Sequence, residues 1–116
     1  MKNRGILIVL LAGLMMSCGG GGKTAKVAVK NQSGWEIKAL TVGISGQEKT
    51  IRNLPNGGAT TLLFQGLHGS HYSLNGKLSN GTMIHGDYGY ASNGVELDDS
   101  FVVYGGGRIG FNPGPH

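Results

Sequence analysis

The sequence predicts an all-β fold: a single small antiparallel β-sandwich of about 7–9 short strands, with a small β-barrel as the other way to close such a chain. Three observations predict it. Apolar residues alternate with polar ones at a period of two in several short segments, as half-buried strands require. Glycine, present 23 times, breaks every long window, and nothing after residue 24 places Ala, Leu and Glu at helical spacing. Turn signals recur at intervals of roughly eight to twelve residues. Among them are Asn-Gly pairs beginning at residues 56, 75, 80 and 93, and both residues of such a pair accept the positive φ of a tight hairpin.

The elements follow in order. Val27 and Val29 alternate with Lys26, Ala28 and Lys30, and Asn31-Gln32-Ser33-Gly34 turns the chain. In residues 36–44, Ile37 lies on one phase and Leu40, Val42 and Ile44 on the other, so a bulge is expected near Ala39. Ser45-Gly46 turns again, and residues 49–54 form a strand stopped by Pro55-Asn56-Gly57-Gly58. Residues 59–65, rich in Thr, Leu and Phe, read as a strand buried on both faces or ending under a loop. Tyr72, Leu74, Gly76 and Leu78 share a phase, so Gly76 reads as a bulge or a close-packing site rather than a turn. Ser79-Asn80-Gly81 makes a hairpin to residues 82–85. Residues 95–97 form a short strand, Asp98-Asp99 a strand end and turn, and 101–104 with 108–111 a last hairpin around three glycines. Trp35 and Tyr72 are expected in the core, given their flanking strands.

The 116 residues permit one domain, and the first seventeen are not part of it. Lys2 and Arg4 precede an apolar run from Ile6 to Met16, then Ser17 and Cys18. Basic, apolar and small-residue segments in that order make a secretory signal, and the run is shorter than the ~20 residues that span a bilayer. Cys18 is the sole cysteine, so it forms no internal disulfide. Residues 1–17 are therefore expected to be a signal peptide, 18–22 a cysteine and flexible Gly tether, 23–111 the sandwich domain, and 112–116 a Pro-rich tail.

Leu14-Met15-Met16-Ser17-Cys18 resembles the lipobox of bacterial lipoprotein precursors, although Met15 stands where leucine is usual. That resemblance implies acylation of Cys18, anchorage to a membrane through the lipid, and a cell-envelope location. With Gly19 after the cysteine, it implies the outer membrane of a Gram-negative bacterium. The Asn31-Gln32-Ser33-Gly34 turn, the Tyr72-x-Leu74 step, and Asn80-Gly81 followed by Tyr88-Gly89-Tyr90 resemble small immunoglobulin-like or transthyretin-like domains of exported bacterial proteins. The likeness implies a sandwich and no particular activity.

Composition narrows the function classes. Without the signal, eight basic residues face six acidic ones, a net charge of +2 with no basic run, so nucleic acid is not an expected partner. Gly22-Lys23-Thr24 lacks the first glycine of a phosphate loop, since Ser17 occupies that position. No serine sits in a Gly-x-Ser-x-Gly elbow. Glu96, Asp98 and Asp99 could contribute oxygens to calcium but lack the spacing of an EF-hand loop, and adjacent strand carboxylates point to opposite faces.

The expectation is a non-enzymatic envelope lipoprotein without a cofactor beyond the covalent lipid on Cys18, whose sandwich binds a protein or glycan partner. Tyr88, Tyr90 and His85, in or beside the glycine-rich stretch 86–94, are the candidate ligand contacts. Two alternatives stand beside it. One is a periplasmic metal-binding protein using His68, His71 and His85, with Asp87 able to add an oxygen. The other is an inhibitor or immunity-type protein that caps an enzyme with a loop.

Overall fold

The computed structural model describes residues 23–68, 71–88 and 96–114. Eight strands account for most of them: β1 (Lys23–Gln32), β2 (Ile37–Ile44), β3 (Gln47–Leu54), β4 (Ala59–Leu67), β5 (Tyr72–Leu78), β6 (Met83–Tyr88), β7 (Glu96–Tyr104) and β8 (Ile109–Asn112). They form two four-stranded sheets, ordered β4-β1-β7-β8 and β3-β2-β5-β6. The two sheets pack face to face as a β-sandwich, as expected; the barrel is not formed.

Strand alternation builds the core. Ala25, Val27 and Val29 of β1 and Leu97, Phe101 and Val103 of β7 point inward from the first sheet. Leu40, Val42 and Ile44 of β2 and Tyr72, Leu74 and Leu78 of β5 meet them from the second. Central strands supply most of this interior, whereas edge strand β4 buries only Phe64 and Leu67. The expectation that residues 59–65 are buried on both faces therefore fails. Leu63 is 44% exposed because it lies on the outer face of edge strand β4, over which none of the described residues forms a layer.

Two details of β2 and β5 match the sequence reading. Ile37 and Leu40 both face inward although three residues apart, and the register between β2 and β5 shifts between Ile37 and Ala39. This is the bulge expected near Ala39, which restores the inward phase for Leu40 onward. Opposite Leu40 stands Gly76. A Cβ there would run into the Ala39 carbonyl oxygen and come within 2.8 Å of Leu40 Cα. The bulged backbone occupies the space a side chain would need.

Two departures concern β1 and β7. They pair in parallel, Val27 beside Asp99 and Val29 beside Phe101, so the first sheet is mixed rather than wholly antiparallel. Parallel neighbours require a long connection, and the five intervening strands provide it. Secondly, β7 runs unbroken from Glu96 to Tyr104, straight through the Asp98-Asp99 pair expected to be a turn. Asp98 faces solvent and Asp99 faces the core, where it is 1% exposed. A buried carboxylate is tolerated only with partners. The Tyr72 hydroxyl donates to Asp99 Oδ2 at 2.5 Å, and the Gly114 amide donates to Oδ1 at 2.9 Å.

Trp35 also departs from expectation. It lies between β1 and β2 and is 50% exposed, its ring outside the core. What is buried at this corner is polar. Asn31 is fully buried and its side-chain amide donates to the carbonyls of Trp35 (2.7 Å) and Leu54 (3.0 Å). Its Oδ1 accepts from the Ser33 amide at 3.0 Å and lies 2.7 Å from the Ser33 hydroxyl. The Asn31 backbone bonds Gly57 and Gly58 in the β3–β4 turn. One side chain at the end of β1 thus ties the first sheet to the end of β3 in the second.

Candidate functional site

The bulge and register of the second sheet define its outer face. Because inward positions are taken by Leu40, Val42, Leu74 and Ile84, the intervening residues point out in three cross-strand rows. The first is Glu48–Gly43–Ser73–Asp87, the second Thr50–Thr41–Asn75–His85, and the third Arg52–Ala39–Lys77–Met83. The face is polar along its length, with carboxylates in the first row and cations in the third. Met83 is its exposed apolar corner, at 65% exposure.

The middle row is already ordered. The Thr41 and Thr50 hydroxyls lie 2.9 Å apart, and His85 Nδ1 lies 2.7 Å from Asn75 Oδ1. Asn75 Oδ1 can only accept, so the imidazole donates from Nδ1 and, when neutral, keeps its lone pair on Nε2. That nitrogen faces Asp87 Oδ2 at 3.5 Å, while His71 Nε2 lies 3.6 Å from Asp87 Oδ1. The three side chains are 57–67% exposed. Their assembly follows from strand geometry. His85 and Asp87 are two apart on β6, and Asp87 pairs with Ser73, so His71, two residues earlier, lies diagonally across from it on the same face.

The metal-ligand candidates therefore separate. His71 and His85 come together with Asp87 between them, whereas His68 is an exposed residue just after β4, the edge of the other sheet. Among the described residues, no group of three or more His, Cys, Asp or Glu side chains is placed to hold a metal ion.

Of the expected ligand contacts, His85 lies on this open face. Tyr88, at the end of β6, is half-buried instead, its ring 5.5 Å from Phe101 and 5.3 Å from Phe111. Those two rings stack at 4.8 Å, and Tyr72 meets Phe101 edge-on at 5.2 Å, so Tyr88 caps an aromatic cluster. Tyr90 lies outside the described residues, as does Cys18 with the whole of residues 1–22. Lys23 and Thr24 of the phosphate-loop reading are strand residues of β1, with no helix after them. A cavity of about 90 Å³ lined by Thr24, Lys26, Glu96, Leu97 and Asp98 belongs to the first sheet and shares no residue with the polar face.

Sequence reasoning missed two sites of polar order. Burial drives the Tyr72 phenol well above the ordinary tyrosine range, and the hydrogen bond and charge of Asp99 add to the shift. The polar face itself was missed because cross-strand rows require the register. Alternation at Thr41, Ser73 and Asn75 was the available signal.

This architecture defines the class: a small two-sheet β-sandwich domain. No protein-family model matches the chain, and no curated protein matches it. Among solved structures, the NMR structure of a protein from Eubacterium rectale is similar, with a TM-score of 0.62 and 14% sequence identity. The similarity covers 86% of this chain and 97% of that one. At this identity the likeness shows the shared fold alone.

Proposed function

We propose that the protein is a non-enzymatic, lipid-anchored component of the bacterial cell envelope whose sandwich binds a protein or glycan partner on the outer face of its second sheet. The observation that carries this reading is the ordered polar row Thr50–Thr41–Asn75–His85, flanked by acidic and basic rows. Hydroxyl and amide groups held by strands lose little conformational freedom on binding, which favours a hydrogen-bonding partner over an apolar one. The charge difference between the outer rows gives such a partner a preferred orientation. Support for the anchor comes from the sequence: the apolar segment and the lipobox-like Ser17-Cys18, followed by four glycines of the kind that make flexible tethers. A tethered domain samples partners at high effective concentration near the membrane.

Two measurements test the reading. The mass of the mature protein from its native membrane should include a diacylglyceryl group on Cys18, absent in Cys18→Ala; a soluble product with a free thiol would overturn the anchor. A photoreactive residue in place of Thr50 should cross-link to a partner in intact envelopes, while the same residue in place of Thr61, on the first sheet, should not. Equal yields from both positions, or none from Thr50, would overturn the binding face.

A further inference from the structure

We infer that His71, His85 and Asp87 form a binding site for a divalent transition metal of the imidazole-preferring kind, zinc or copper. The site lies at one end of the polar face but depends neither on the lipid anchor nor on a macromolecular partner.

The donor set is the first argument. Two imidazoles and one carboxylate suit zinc and copper. The second is how they are held. His85 and Asp87 stand two apart on β6 and His71 lies diagonally across, just before β5, so the backbone brings all three side chains to one patch. The third is the orientation of His85. Its Nδ1 bonds Asn75 Oδ1 at 2.7 Å, the outer-shell arrangement that fixes a metal-binding imidazole with Nε2 free.

Distance gives the fourth. Nε2 of His71 and of His85 lie 3.6 and 3.5 Å from the two oxygens of Asp87. These separations exceed a good hydrogen bond. They place both imidazole nitrogens beside one carboxylate, on its two different oxygens. As placed, each imidazole addresses its own carboxylate oxygen, so the three donors do not yet share one centre. Binding one ion requires Asp87 and His71 to turn about their side-chain bonds. All three side chains are more than half exposed, which leaves room for that movement. Water would complete the coordination.

Calorimetric titration of the purified full chain with Zn²⁺, and Cu²⁺ electron paramagnetic resonance resolving coordinated nitrogens, test the site. One equivalent should bind, with two imidazole nitrogens on copper. His71→Gln, His85→Gln and Asp87→Asn should each weaken binding at least tenfold, and Asn75→Ala, which removes only the outer-shell bond, by roughly tenfold. His68→Gln should leave it unchanged. Far-UV circular dichroism and melting of each variant should match the parent, because none of the substituted side chains is in the core. No binding by the parent, binding that survives His71→Gln/His85→Gln, loss of binding on His68→Gln, or a copper signal with one imidazole would each overturn the site.

Discussion

Two polar clusters in this molecule make opposite use of similar chemistry. At the end of β1, the Asn31 side chain is wholly buried, and both its amide protons and its oxygen are engaged at 2.7–3.0 Å. At the top of β5 and β6, His71, His85 and Asp87 are mostly exposed and face each other at 3.5–3.6 Å. The first cluster has no capacity left for a ligand, and its bonds cross from one sheet to the other. The second is open to solvent, lies on one sheet and contributes little to holding the two sheets together. Burial separates them: an unmet hydrogen bond is costly in the interior and cheap where water can replace the partner.

The sharpest way to break this comparison is to truncate both clusters. Asn31→Ala takes the amide donor from the Leu54 carbonyl and the acceptor from the Ser33 amide, while the Trp35 carbonyl keeps the Ser33 hydroxyl at 2.8 Å, and should cost about 3 kcal/mol in urea unfolding. A loss below 1 kcal/mol would mean that water enters the corner and that the bonds do not clamp the sheets.

Gly76→Ala comes next. Its Cβ would meet backbone, the Ala39 carbonyl and Leu40 Cα, rather than a side chain that can swing away. Destabilisation of about 2 kcal/mol is expected, with the proposed metal and partner sites intact in the folded fraction. An unchanged melting temperature would show that the bulge on β2 can relax.

Tyr72→Phe tests a third polar pair, intermediate in kind: buried like Asn31 but carrying a charge. At neutral pH it leaves Asp99 with the Gly114 amide and should cost about 2 kcal/mol. Its pH dependence has a definite sign. The folded phenol is held above its ordinary value of 10.0, so an unfolded chain gives up this proton first as the solution becomes alkaline. The stability it contributes is complete below about pH 10 and declines as pH rises beyond that. Urea midpoints across the alkaline range should fall more steeply in the parent than in Tyr72→Phe, and parallel slopes would contradict the assignment.

The smallest effect completes the comparison. His85→Ala should change stability by no more than about 0.5 kcal/mol, as a surface substitution outside any buried network. A loss comparable to Asn31→Ala would place the exposed cluster among the structural bonds and leave no distinction between the two.

How far the sequence reaches is visible in particular residues. The bulge near Ala39 was legible because Ile37 and Leu40 share an apolar character that strict alternation forbids. Gly76 was legible because it falls in phase with Leu74 and Leu78. Asp98-Asp99 was misread as a turn because turn statistics treat an Asp pair as a local matter, whereas Asp99 is stabilised by Tyr72 and Gly114, distant in sequence on one side. Trp35 was misplaced for the converse reason: its aromatic character favours burial, but Asn31 and Ser33 claim the corner beside it. The histidine candidates divide between the two sheets. His71 and His85 meet at Asp87, while His68 follows an edge strand of the other sheet.

By itself, then, the sequence determined the local grammar of this protein: strands without helices, the turns between them, the phase of each inward face and the place where that phase slips. These follow from period-two alternation and from glycine and asparagine in turns, which act over a few neighbouring residues. Only the tertiary structure decided which strands lie at edges, that β1 and β7 run in parallel, that an aspartate belongs inside, and that two histidines flank one carboxylate. Each of these depends on pairing between strands far apart in the chain, and alternation within a strand carries no record of its partner.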